Sequence, residues 1–220
     1  MSSHKEDYES LYSQYCDPNS LMYKKLRIVD SYISDGETLL DIGVGVGELI
    51  ELEKQKFEKI YGIDADEESV EICRKRFEND GNVYIKQGGI DNLKDLFQDK
   101  KFDYITCLDI LEHIKVKECK KALNNNYDLL RDDGKFIFTG PGVFEKVRIL
   151  LGRSPTHLHS HSSYGWKRMI ERVGFNVINV ETVEFPIIHS DFLRRNFHLF
   201  GKCCLIVAEK GINLWRENTL

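Results

Sequence analysis

The sequence predicts an α/β protein built on a doubly wound, mostly parallel sheet of seven strands with an antiparallel last strand. Three observations carry this expectation. From about residue 39, short apolar runs alternate with amphipathic segments. The first of these runs leads straight into a glycine loop, Gly43-Val44-Gly45-Val46-Gly47. After Thr139 the alternation breaks, and the last two apolar runs follow one another with no clear helix between them.

Taken in order, Met22, Leu26, Val29 and Ile33 mark an amphipathic helix ahead of the sheet. Strands are expected at 38–42, 59–63, 82–86, 102–107 and 135–139, then at 175–184 and 202–208. Between the first five lie helical stretches: Val70, Cys73 and Phe77 recur at helical spacing, and Cys119, Leu123 and Leu130 more loosely. Strands separated by helices need crossover connections, which give a parallel sheet with every carboxyl end on one rim. Residues 140–162 form a long connection, in which Phe144, Val147, Ile149, Leu150 and Leu151 read as a lid helix packed on the sheet. A further helix, capped by Ser162 or Ser163, buries Trp166, Met169, Ile170 and Val173 and stops at Gly174. The final pair of strands is antiparallel. In domain terms, residues 1–18 form an arm or lid, 19–210 one domain with a lid insertion at about 141–163, and 211–220 a tail.

With 220 residues the chain has room for one sizeable domain and not two. Its 36 acids against 31 bases argue against a broad nucleic-acid footprint, so no nucleic-acid partner is expected. No apolar run reaches the roughly 18–20 residues of a membrane-spanning helix, and the polar, acidic start is no secretory signal. The six cysteines lack zinc-type spacing and read as reduced thiols of a cytoplasmic protein.

The chemistry begins at Asp41, which precedes the glycines. Glycine permits a sharp turn and close approach of a ligand to the backbone. A carboxylate there repels a pyrophosphate and suits a ligand carrying an ammonium and a sulfonium. A second acid, Asp64, ends the next strand nineteen residues beyond Gly45, where it can accept both hydrogen bonds of a ribose diol. The plainer reading of Asp64 is a helix cap, a role for which Asp66 also stands ready. Because a nicotinamide cofactor also has a ribose diol, Asp64 alone does not exclude an NAD(P)-dependent oxidoreductase.

Leu40-Asp41-Ile42-Gly43-Val44-Gly45-Val46-Gly47, Gly62-Ile63-Asp64, Phe102-Asp103-Tyr104 leading to Leu111-Glu112-His113, and Asp133-Gly134-Lys135-Phe136 together resemble the class I S-adenosylmethionine-dependent methyltransferases. The stretch from Val143 through Arg148-Ile149-Leu150-Leu151-Gly152 to His157-Leu158-His159, then Trp166 to Gly174-Phe175, is similar to their type 11-like small-molecule subgroup. The resemblance covers about residues 37–210 and implies the fold predicted above. It implies S-adenosylmethionine as cofactor and S-adenosylhomocysteine as product. Asp41, Gly43, Gly45 and Gly47 would hold the methionine portion, Asp64 the ribose, and Ala65, Gly89 and Ile90 the adenine, while Leu108 and Asp109 would wall the methionine. Gly89 stands where the family commonly has an acid, so an adenine contact falls to backbone or to Asp91.

His113 is the candidate catalytic residue, as general base or, equally, as a group orienting its loop. In His157-Leu158-His159-Ser160-His161, alternate residues of an extended chain point the same way, so three imidazoles can converge. Three histidines suit zinc. No second shell is identifiable around them, and no metal is expected. The resemblance instead places His157 and His159 at the substrate, with Tyr12 of the arm. The reading is transfer of a methyl group to an oxygen of a small molecule: a sugar, a phenol or quinone-like ring, or a secondary metabolite. A monomer or homodimer is expected. The rivals are the oxidoreductase, which lacks here the Tyr-x-x-x-Lys pair it would need, and a protein that binds the cofactor without turnover.

Overall fold

A computed structural model describes residues 13–183 and 203–211. The chain divides into two compact units, Met1–Gly89 and Ile90–Leu220.

The first unit carries α1 (Leu21–Asp30), β1 (Gly36–Ile42), α2 (Glu48–Glu53), β2 (Phe57–Asp64), α3 (Glu67–Arg76) and β3 (Val83–Gln87). Its strands are parallel in the order β3-β2-β1, with Leu39 beside Ile60 and Ile60 beside Val83. Leu39 and Leu40 are adjacent and both fully buried, which a strand covered on both faces requires. Ser20 caps α1 by accepting the Tyr23 N–H at 3.0 Å. Leu26 and Val29 are buried as expected, whereas Ile33 is buried beyond the helix, which ends at Ser31. Val70, Cys73 and Phe77 form the buried stripe of α3.

The second unit carries α4 (Leu93–Leu96), β4 (Phe102–Leu108), a 3-10 turn (Leu111–His113), α5 (Val116–Leu129), β5 (Leu130–Pro141), α6 (Val143–Leu150), α7 (Ser163–Glu171), β6 (Phe175–Val183) and β7 (Cys203–Lys210). β4 and β5 are parallel, and β7 runs antiparallel to both β5 and β6. The strand order β3-β2-β1-β4-β5-β7-β6 is the seven-stranded, mostly parallel sheet that the sequence predicts, its last strand reversed. Ser162 caps α7 through the Gly165 N–H, Trp166, Ile170 and Val173 are buried, and Gly174 ends the helix at φ 108°. Among the described residues no helix is long and apolar enough to cross a membrane.

Two local expectations are corrected. Leu130 is not a helical stripe residue but the first residue of β5, at ψ 141°. Phe102 pairs with Leu130 and Tyr104 with Lys135, so residues 131–134 loop out and hide the strand's start. The lid helix forms, as α6, but it does not pack its apolar residues on the sheet. Phe144, Val147 and Leu150 are 47%, 55% and 79% exposed, and the residue α6 buries is Glu145. The reason is the polar cluster around that carboxylate, described below.

Candidate functional site

In the first unit, β1 brings Asp41 to its carboxyl end, 3% exposed, and the chain then turns through Gly43, Gly45 and Gly47 at φ 81°, 52° and 84°. A Cβ at Gly47 would stand 2.6 Å from the Phe77 ring and 3.1 Å from Cys73 Sγ, so both backbone and space demand glycine. At Gly45 nothing lies within 4 Å of that position: φ requires glycine, and the space beside it is open.

The loop is tied internally. The Gly43 and Val44 N–H groups donate to the Ile63 carbonyl at 2.8 and 3.1 Å, and the Gly47 N–H to the Val44 carbonyl at 2.8 Å. The Gly45 N–H donates to Asp64 Oδ2 at 3.0 Å. Cys73 Sγ–H donates to the Gly45 carbonyl at 3.3 Å, and burial together with the Asp41 charge pushes this thiol up to about 12, so it stays a donor. Arg76 donates to the Val46 carbonyl at 2.7 Å and to the Glu48 carboxylate at 2.5 Å.

Asp64 ends β2, and its Oδ1 accepts the Asp66 N–H at 3.0 Å. Capping of α3 falls to Asp66, which accepts the Ser69 N–H at 2.9 Å. Asp64 therefore organises the loop, and each of its oxygens keeps a further lone pair. Ala65 is exposed beside it, and half-buried Gly89 follows Gly88, whose N–H donates to the Asp64 carbonyl at 2.9 Å. Tyr12 lies outside the described residues. Tyr15 does not: burial and then the charges of Asp41 and Glu48 push its phenol up to about 12, which puts it in electrostatic reach of the loop. Sequence reasoning missed it. The tyrosines at 8, 12 and 15 were the signal, and nothing in that spacing chooses among them.

In the second unit, Ile90 is buried and its carbonyl accepts from Asn125 Nδ2 at 3.5 Å. Leu108 ends β4 half-buried, and Asp109 has φ 55°, the one positive φ among the described non-glycine residues. Such a conformation costs about 1–3 kcal/mol and persists only where the surroundings fix it. Here the Asp109 N–H donates to the Thr139 carbonyl at 3.1 Å, and Thr139 Oγ1–H donates to Asp109 Oδ1 at 2.8 Å.

The 3-10 turn then buries Glu112, at 1% exposed, and exposes His113. His113 Nδ1 lies 3.1 Å from the Thr156 carbonyl; since a carbonyl only accepts, Nδ1 bears the proton. Burial lowers the His113 pKa, and His157 adds to this against the Thr156 bond. The two imidazoles meet edge to face with centroids 4.9 Å apart. His157 Nδ1 is 2.9 Å from Glu145 Oε1, and Glu145 also accepts from the Ser154 hydroxyl and, at 3.4 Å, from Arg148. These bonds turn the Glu145 face of α6 inward and leave its apolar face out. The Leu158 N–H donates to the Glu112 carbonyl at 2.8 Å, tying the histidine segment to the turn.

The three alternating imidazoles do not converge. His159 Nε2 lies 3.0 Å from the Ile114 carbonyl, and His159 and His161 pack on the Trp166 indole at 5.5 and 4.8 Å. Burial lowers the pKa of both. His157 is brought to His113 instead, a pairing that bridges 44 residues of sequence and that no local pattern announces.

Residues 18–180 match the family described as "Methyltransferase domain". The chain is 25% identical over 213 residues to a probable fatty acid methyltransferase of Pseudomonas putida, covering 88% of this chain and 51% of that protein. It is 28% identical over 153 residues to a ubiquinone biosynthesis O-methyltransferase of Actinobacillus pleuropneumoniae, covering 61% of this chain and 62% of that one. The chain thus spans between about half and three fifths of the length of these relatives. In fold it is similar to a S-adenosylmethionine-dependent methyltransferase from Clostridium acetobutylicum, with TM-score 0.69, 15% identity, and coverage of 95% of this chain and 100% of that one.

Proposed function

The chain belongs to the S-adenosylmethionine-dependent methyltransferase family, and we propose that it transfers the methyl group of that cofactor to an oxygen of a small molecule. The observation that carries the cofactor side is how the glycine loop uses its amides. Those of Gly43, Val44, Gly45 and Gly47 all donate within the protein, while the carboxylate of Asp41 precedes the loop in β1 and that of Asp64 lies on the Gly45 amide at its middle. A dinucleotide's pyrophosphate needs free N–H donors at such a loop. An ammonium, a sulfonium and a ribose diol need acceptors. The loop therefore favours S-adenosylmethionine over a nicotinamide cofactor, with Asp64 on the ribose, Asp41 and the glycines beside the methionine, and Ala65 and Gly89 near the adenine. In the second unit, the strain held at Asp109 fits a functional position.

Oxygen as the acceptor atom is supported by His113. With its Nδ1 proton committed to Thr156, Nε2 holds the lone pair a general base needs. His157, His159 and α6 then border the acceptor.

The cofactor supplies the reactive methyl, and the protein's work is alignment and exclusion of water. The test is incubation with methyl-labelled S-adenosylmethionine and a panel of phenols, sugars, acyl-chain lipids, protein and RNA, read by mass spectrometry. Label on a small-molecule oxygen supports the reading. Label on nitrogen, carbon or a macromolecule, or none despite tight S-adenosylhomocysteine binding, overturns it. A second reading, an acceptor with an acyl chain, is favoured by the exposed apolar face of α6, and the lipid arm of the panel decides it.

A further inference from the structure

We propose that Glu112, His113 and His157 form a binding site for a zinc-type divalent transition ion. One ligand atom from each of the three lies within 4.8 Å of the others. Around a tetrahedral ion with bonds near 2.0–2.1 Å, ligand atoms stand roughly 3.3–3.5 Å apart. Of the three side chains, exposed His113 has the room to move toward that spacing.

The geometry points to more than proximity, because both histidines are already oriented as ligands. A metal-bound imidazole characteristically gives its other N–H to a carboxylate or a backbone carbonyl. His113 gives Nδ1–H to the Thr156 carbonyl at 3.1 Å, and His157 gives Nδ1–H to Glu145 at 2.9 Å. Both are thereby left with an Nε2 lone pair. Glu145 is held as an acceptor by Ser154 and Arg148, so the His157 tautomer is fixed from behind. Glu112 adds a carboxylate that is 1% exposed. The second shell that the sequence does not reveal is thus present, supplied by α6 and by backbone of the following segment.

Two imidazoles and one carboxylate select a first-row transition ion over magnesium or calcium, which prefer oxygen throughout. Three protein ligands leave a coordination position open, as in catalytic zinc sites. With the ion bound, the His113 Nε2 lone pair is committed to it, and the ion would take over from His113 the activation of an acceptor oxygen at that open position. This last step rests on the oxygen-transfer reading, whereas the binding of the ion does not.

The test uses the full chain, stripped with chelator and dialysed against zinc, with metal content measured by elemental analysis and affinity by competition with a chromophoric chelator. One ion per chain is expected. His113→Ala and His157→Ala should each weaken binding at least tenfold, and Glu145→Gln, which keeps the side chain's shape, by about 10–100-fold. Cobalt in place of zinc should give visible bands without a thiolate charge-transfer band, which separates this site from the cysteines. Circular dichroism confirms the fold of each variant; should His157→Ala unfold, exposed His113 decides alone. No retained ion, an ion retained in the His113→Ala/His157→Ala double variant, or a thiolate band overturns the proposal. S-adenosylhomocysteine affinity, measured in parallel without metal, reports on the cofactor site separately.

Discussion

Replacing Asp64 by asparagine removes one charge and one acceptor while keeping size and shape. In the wild type Oδ2 accepts the Gly45 N–H and Oδ1 the Asp66 N–H, each at 3.0 Å. Asparagine has a single acceptor oxygen, so one of these N–H groups must face an NH2 group instead. Losing one such bond costs about 1 kcal/mol of stability where the group stays accessible to water. The effect on cofactor is larger. Two ribose hydroxyls donating to a carboxylate make charge-assisted bonds of about 1.5–3 kcal/mol each, and asparagine keeps only one neutral bond. The expected loss is about 2–3 kcal/mol, or roughly 30- to 150-fold in Kd. Isothermal titration with S-adenosylhomocysteine reads the second quantity, and urea unfolding without ligand the first. A Kd within threefold of wild type, in a variant destabilised by about 1 kcal/mol, would refute the ribose role and leave Asp64 as a loop brace only.

Three further outcomes follow from the same coordinates. Gly47→Ala should cost about 2–4 kcal/mol in urea unfolding, since it combines a left-handed φ with overlap on Phe77; Gly45→Ala, which meets no atom, should cost only about 1–2 kcal/mol but should weaken S-adenosylhomocysteine by filling the open side. His113→Ala should slow turnover by about 10²–10⁴-fold with S-adenosylhomocysteine affinity unchanged, and the reverse pattern would make it a loop brace. Burial raises Glu53 to about 7, against Lys56, which it shares with Asp30 at 3.0 and 2.6 Å. A raised acid stabilises fully below its unfolded value of 4.5 and loses that contribution as pH rises toward 7. Glu53→Gln should therefore gain about 1–2 kcal/mol over wild type at pH 8 and next to nothing at pH 4, measured by urea unfolding at both.

The first half of the chain was largely legible because its site is local in sequence. Asp41, the glycines and Asp64 lie at strand ends, and strand ends follow from apolar runs meeting turn residues. The competing role for Asp64 could be resolved only in three dimensions, where Asp66 takes the cap and frees Asp64 for Gly45. The start of β5 was hidden by Arg131-Asp132-Asp133-Gly134, a charged run that reads as a turn and behaves as one inside a continuous strand pairing.

The histidine cluster shows where periodicity stops being informative. Alternation assigns side chains to faces only when the backbone is a strand, and residues 157–161 belong to no strand. Their directions are set instead by partners far away: Trp166 takes His159 and His161, and Glu145 takes His157. The same carboxylate explains α6. Five apolar residues among the eight of α6 predict burial by hydrophobicity alone. One buried acid, satisfied by Ser154, His157 and Arg148, outweighs them, because leaving it unsatisfied costs more than exposing apolar surface that a ligand can later cover. The helix therefore faces outward with its apolar side and inward with its glutamate, which binds His157. Glu145→Leu would reverse both properties, and should bury α6 while releasing His157.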